Sequence, residues 1–251
     1  MTSFPSEIRP DPQIRTYERA ASVVFLKTKE AFGGLSNMAG GFPLAVGGVD
    51  ILTAEALYQA CRFPHLPDVQ RLILDQASPM AAKMVGKPYR HNSRPDWDQV
   101  RVKIMRWCLR VKLAQNWVAF SELLLATDGR PIVEESYRDP FWGAKPVDDE
   151  RLVGMNVLGR LLMELRDEIG SLGRDTLSRV EPLGIPDFLL QGNLIGEVSG
   201  DQASATGPEP NGSAVEVKAR RRPKHSEPKA NKSSLFNQLP LSEWLLPEEE
   251  G

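Results

Sequence analysis

Apolar residues recur at helical or strand spacing through about the first 170 residues and lose that order afterwards. "SVVFLKT" (22–28) and "PIVEESY" (131–137) are short runs of the kind that forms strands. "PLAV" and "VDIL" flank Gly47-Gly48, which predicts a hairpin within a loop-rich stretch over 32–51. Thr53 stands where an N-cap belongs and opens a helix through "TAEALYQACRF" (53–63). Further helices are predicted over 67–77, over 79–87 behind Ser78 with a stop at Gly86, over 95–116, over 119–129 with a stop at Gly129, and over 159–170. The 95–116 segment has the clearest pattern. Pro95 suits a first turn, Asp96 and Asp98 suit the positive end, and Val100, Ile104, Trp107, Cys108 and Val111 form an apolar stripe. Helices with a few short antiparallel strands, and no βαβ alternation, predict a compact, helix-dominated α+β fold.

The loss of pattern divides the 251 residues. Residues 1–21 form an N-terminal extension and 22–170 the main domain. Residues 171–197 mix apolar residues with Pro and Gly and are expected to pack on that domain as an arm. Residues 198–234 are rich in Gly, Pro, Ser, Lys and Glu, and cannot bury enough surface to offset the entropy of ordering. They read as a disordered linker. The basic run "KARRRPKH" inside it is either a solvated charge block or a weak attractor of phosphate backbones. Residues 235–251 are apolar again and then acidic, the pattern of a partner-binding peptide. "QLPL" (238–241) is similar to the short motif that docks bacterial proteins on the replication sliding clamp, so the clamp or another protein is the expected partner for 235–247.

Charge alters this picture little. Formal net charge is −2, and residues 1–170 carry 22 Lys and Arg against 21 Asp and Glu. Any contact with DNA must therefore be local. Cys61 and Cys108 sit inside apolar helical patterns and read as buried thiols. His65, His91 and His225 are far apart, and no ligand spacing suggests a metal. No secretory h-region opens the chain and no apolar run is long enough to span a bilayer, so a soluble, cytoplasmic protein without a membrane partner is expected.

Candidate chemistry lies on one helix face and in four loops. Glu55, Tyr58, Gln59 and Arg62 share a face of the 53–63 helix, which is either a solvated stripe or the wall of a site. "GGLSNM" (33–38), "SRPDW" (93–97), "YRDPFWGAK" (137–145) and "VGMNVLG" (153–159) combine Gly or Pro with Trp, Asp or Asn in turns, where ligand sites concentrate. Trp142 offers a stacking plate for a base, Asp139 an acceptor for hydroxyls, and Gly143 a place for close backbone approach.

"TAEALYQACRF", "LSNM", "SPMAAKMVGK", Asp96-Trp97 followed by Arg, "VKLAQN", "IVEES" followed by Asp139 and "FWG", and "GMNVLGRLLMELR" occur in order and spacing over residues 22–170. This set resembles the NADAR (YbiA-like) domain family. The resemblance implies a compact, helix-rich enzyme without a cofactor that cleaves N-glycosidic bonds to a phosphorylated ribose or to ADP-ribose. Many members have Glu-His where this chain has Glu55-Ala56, and Lys where it has Arg62. Those departures look more like the branch that acts as antitoxin to DarT-type ADP-ribosyltransferases and removes ADP-ribose from guanine in DNA. Small ribosylamino-pyrimidine phosphates, or ADP-ribose binding without cleavage, are the alternatives.

Breaking a ribosyl C–N bond requires a proton or hydrogen bond for the departing base, stabilisation of positive charge at C1′, and delivery of water. With the resemblance, Glu55 is expected to be the catalytic carboxylate. Asp139 is assigned to ribose hydroxyls or to water. Trp97 and Trp142 pack on a base or on ribose, Trp97 alternatively being a core staple. Ser36, Asn37 and Asn156 bind phosphate or ribose. Tyr58, Gln59 and Arg62 line the pocket beside Gly143. Lys29, Lys83 and Arg101 are candidate cations for the pyrophosphate, and Lys29 or Lys83 is the candidate for a Schiff base with an opened ribose.

Overall fold

A computed structural model describes residues 13–202. The first twelve residues, the basic run and the "QLPL" peptide lie outside them.

The chain opens with β1 (Arg15–Glu18) and β2 (Val23–Phe25). β3 (Leu44–Val46) and β4 (Val49–Ile51) form the expected hairpin. Its turn places Gly47 at φ 57° and Gly48 at φ 79°, a region that side chains resist and glycine does not. α1 (Ala54–Ala60) starts as predicted, because Thr53 Oγ1 accepts from the Ala56 N–H at 3.2 Å. α2 (Pro67–Leu74) follows. α3 (Pro79–Gly86) is capped by Ser78 Oγ, which accepts from the Ala81 N–H at 3.1 Å, and a 3-10 turn continues it over Lys87–Asn92. α4 (Trp97–Gln115) is entered from Asp96, whose side chain caps no N–H because Arg94 holds it at 2.5 and 3.0 Å. α5 (Trp117–Leu125), β5 (Ile132–Glu134), β6 (Lys145–Pro146), β7 (Arg151–Gly154) and α6 (Val157–Leu177) complete the main body. Four two-residue strands end it: β8 (Arg179–Val180), β9 (Leu189–Leu190), β10 (Asn193–Leu194) and β11 (Val198–Ser199).

α4 is the axis of the core. Ile104, Trp107, Cys108, Leu109, Val111 and Leu113 are all at most 2% exposed, so apolar contacts surround most of the helix rather than one stripe. The segment that follows α6 packs there. Trp107 Nε1 donates to Glu181 O at 3.0 Å, and its ring meets Phe188 edge-on at 4.9 Å. Cys61 and Cys108 are free, buried thiols. Among the described residues, no helix is long and apolar enough to cross a membrane, and no three His, Cys, Asp or Glu side chains are grouped to hold a metal ion.

The structure differs from the sequence reading in several places. α1 stops at Ala60, so Arg62 lies in the turn that follows it, and α6 runs on past residue 170 to Leu177. Residues 15–18 are not an extension, for β1 joins β7 and β6 in a three-stranded antiparallel sheet. β2 and β5 pair in parallel, not antiparallel, with α1 to α5 intervening in the chain. Val198 and Ser199 belong to the packed region, since β11 pairs with β8 and Val198 is 1% exposed.

Candidate active site

Glu55 leaves the first turn of α1 and is 6% exposed. Asn37 Nδ2 donates to its Oε2 at 2.7 Å and Gln59 Nε2 donates to its Oε1 at 2.8 Å. The Glu55 N–H donates to Asn37 O at 3.1 Å. Helical spacing supplies Gln59, one turn along, and the loop over 33–38 supplies Asn37 from outside the helix. This fixes the carboxyl in direction as well as place. Asn37 Oδ1 is itself buried and makes no hydrogen bond among the described residues, so it is an acceptor suited to a ligand hydroxyl. Ser36 is buried, and its Oγ accepts from the Met38 N–H at 3.2 Å, which shapes the loop.

An aromatic wall stands beside Glu55. Tyr58 is 5.1 Å from Trp97 and 5.7 Å, edge to face, from Trp142. Burial first, and then the charge of Glu55, push the Tyr58 phenol well above its ordinary range, so it stays protonated. Trp97 is buried and backs the wall. Trp142 keeps part of its surface exposed and is the better plate for a base. Two guanidinium groups lie on these rings: Arg62 is 5.0 Å from the Trp97 centroid and Arg101 is 4.0 Å from that of Phe141. Arg62 Nε also donates to Ser93 Oγ at 2.6 Å. Arg101 Nε is buried, makes no hydrogen bond among the described residues, and has Asp98 at 3.6 Å. Lys83 is partly exposed on α3, and its charge acts on Glu134. Lys29 is exposed in the turn before residue 33, and no contact among the described residues ties it to this cluster.

The third side is the loop over 136–143. Asp139 Oδ1 accepts from the Phe141 N–H at 3.1 Å and the Trp142 N–H at 3.0 Å, so one oxygen shapes the loop and the other is left for a ligand. Gly143 is a packing residue: a Cβ there would stand 2.5 Å from Glu134 O. Gly143→Ala should push the loop off β5 and cost about 1–3 kcal/mol, read as a lowered Tm in thermal melts. Asn156, expected to bind ligand, is fully buried at φ 48°. Its Nδ2 donates to Ile132 O at 2.8 Å and its Oδ1 accepts from the Glu134 N–H at 3.1 Å, so both ends of the amide hold β5 and none is left for substrate.

Two residues not singled out from the sequence belong to this cluster. Lys112 is fully buried, donating to Gly34 O at 2.7 Å and Ser36 O at 3.1 Å, with Phe42 and Phe120 at 4.2 and 4.3 Å. It therefore clamps the loop that presents Asn37. Burial lowers its ammonium from 10.5 to about 7, while the carbonyls and ring faces act in the opposite direction. Its place, four residues after Cys108 and beside Val111 on the apolar stripe, is the signal that could have found it. The second is Glu134, at the end of β5 and subject to the charges of Glu55, Asp139 and Lys83.

Residues 24–170 match the NADAR domain family. The chain belongs to that family. It is 34% identical over 148 residues to the N-glycosidase YbiA of Escherichia coli, a match spanning 58% of this chain and 86% of that protein. It is 32% identical over 149 residues to a riboflavin biosynthesis protein of Vibrio vulnificus, covering 59% of this chain and 38% of that one. The NMR structure of E. coli YbiA superposes with a TM-score of 0.51 at 31% identity, over 62% of this chain and 92% of that one. This NADAR protein is an enzyme, a hydrolase of the N-glycosidase class, and the cluster around Glu55 lies wholly within the matched span.

Proposed function

We propose that the enzyme hydrolyses the bond between ADP-ribose and the amino group of guanine in DNA, reversing modification by a DarT-type ADP-ribosyltransferase as its antitoxin. The observation that carries the reading is a positioned carboxylate, Glu55, set against an aromatic wall whose rings carry Arg62 and Arg101. A base stacks on Trp142, ribose hydroxyls reach Asn37 Oδ1 and Asp139, and the pyrophosphate meets Arg101, Arg62 and Lys83. Ala56, 3% exposed, and Arg62 stand where the family resemblance leads one to expect His and Lys, and support the DNA-directed branch. An arginine on a ring face suits a phosphate better than a lysine does.

A second reading takes support from the riboflavin biosynthesis protein among the relatives. On it, the substrate is a free ribosylamino-pyrimidine phosphate. The two part on relative rates: ADP-ribosylated guanine DNA should be cleaved with the higher kcat/KM, and faster release of ribose 5-phosphate from the small compound favours the second. Arg101→Met should raise KM for the ADP-ribosyl substrate about ten- to a hundredfold with little change in kcat, since it removes a charge-assisted phosphate contact made before and during the reaction. Steady-state kinetics on the modified oligonucleotide reads this directly.

A further inference from the structure

β5 sorts its side chains by face. Ile132 packs into the main core, whereas Val133 packs with Tyr17, Ala144 and Leu152 on the other side. Glu135 accepts from Arg19 Nη1 at 2.8 Å and is buried by that pairing. With a period of two, Glu134 leaves the strand on the Ile132 face, the side of the main core. The charged groups facing it there are Glu55 from α1, Asp139 from the 136–143 loop and Lys83 from α3, while β2 places Phe25 beside it in register. Its backbone is held at both ends: the Glu134 N–H donates to Asn156 Oδ1 at 3.1 Å, and Glu134 O accepts from the Ala144 N–H at 2.8 Å. Two adjacent acids in one strand thus have opposite duties, Glu135 in an ion pair and Glu134 in the site.

We propose that Glu134 is the general acid of this enzyme. As the C1′–N bond breaks, its carboxyl proton passes to the departing base nitrogen. Glu55 takes one proton from the water whose oxygen bonds to C1′. The products are the free amino group and the C1′ hydroxyl, and solvent returns a proton from Glu55 to Glu134. The inference rests on the N-glycosidase reading and adds the proton donor to it.

The division of labour follows from surroundings. Glu55 accepts at both oxygens from amides, as a carboxylate does. Glu134 has no such donors among the described residues. Loss of water around it, then the charges of Glu55 and Asp139, lift it from 4.5 to about 7, with Lys83 opposing. A carboxyl lifted in this way, beside one whose oxygens both accept hydrogen bonds, has the makings of a general acid.

The test is a kcat–pH profile of the wild-type protein and of Glu134→Gln on the modified guanine oligonucleotide. Expected are a falling limb near pH 7 in the wild type, about a hundredfold lower kcat in the variant with KM within about twofold, and no such limb in the residual rate. A variant that turns over within about threefold of the wild type overturns the assignment and leaves the N-glycosidase reading standing. If Glu134→Gln does not fold, the wild-type profile decides: a flat kcat from about pH 6 to 8.5 overturns it. A wild-type protein that cleaves nothing counts against the reading itself and takes this assignment with it.

Discussion

Glu55→Gln is expected to lower kcat about 10²- to 10⁴-fold, the usual contribution of a positioned acid–base group, and to leave the fold in place. The change is isosteric at a buried position, so no cavity opens. It does disturb the local hydrogen bonds. Asn37 Nδ2 and Gln59 Nε2 both donate to Glu55. A glutamine offers one acceptor oxygen, and its amide N–H₂ faces the remaining donor. The mismatch costs about 1–3 kcal/mol, far less than a domain of this size needs to unfold. Activity and stability therefore separate: turnover collapses while the thermal midpoint moves by a few degrees. A variant that keeps wild-type turnover removes Glu55 from the chemistry.

The second large effect is on stability, at Lys112. Lys112→Met keeps the length and apolar stem but leaves Gly34 O and Ser36 O without their donor. Each buried carbonyl so stranded costs about 1–3 kcal/mol, offset in part because no ammonium has to be desolvated. The loop over 33–38 should loosen, and Asn37 with it, so kcat falls although Lys112 touches no substrate. The pH dependence has a definite sign. Folding lowers the Lys112 ammonium from 10.5 to about 7, so between those values the unfolded chain binds the additional proton. Wild-type stability gains from this group as pH rises through that window, and the variant lacks the gain. The stability deficit of Lys112→Met should therefore widen from pH 7 towards pH 10 in urea melts. A deficit constant across that range would show that the lysine is not perturbed by burial.

Local signals made much of the fold legible. Thr53 and Ser78 mark the starts of α1 and α3 because capping acts within three residues, and Gly47-Gly48 marks the hairpin because its turn needs positive φ. β1 was hidden because of its four residues only Tyr17 is buried, which leaves no alternation to read. The parallel pairing of β2 with β5 joins residues more than a hundred positions apart, and nothing local encodes it. At the site, Glu55, Tyr58 and Gln59 are readable as part of one helix, with Arg62 falling in the turn after it, but whether Glu55 meets water or Asn37 depends on a loop 18 residues away. Glu134 was within reach: two neighbouring acids on a strand must point to opposite faces, and one of them had to enter the domain. Asn156 resembles a ligand group in sequence, yet a left-handed asparagine at a strand–helix junction also suits a backbone clamp, and only its partners distinguish the two.

The most direct measurement follows a guanine-ADP-ribosylated DNA oligonucleotide by mass under single-turnover conditions. The account predicts that the wild-type protein restores the unmodified oligonucleotide mass and releases intact ADP-ribose in equal amount, and that Glu55→Gln does neither. An unchanged oligonucleotide mass, or a mass still carrying ribose phosphate with release of AMP, would contradict it.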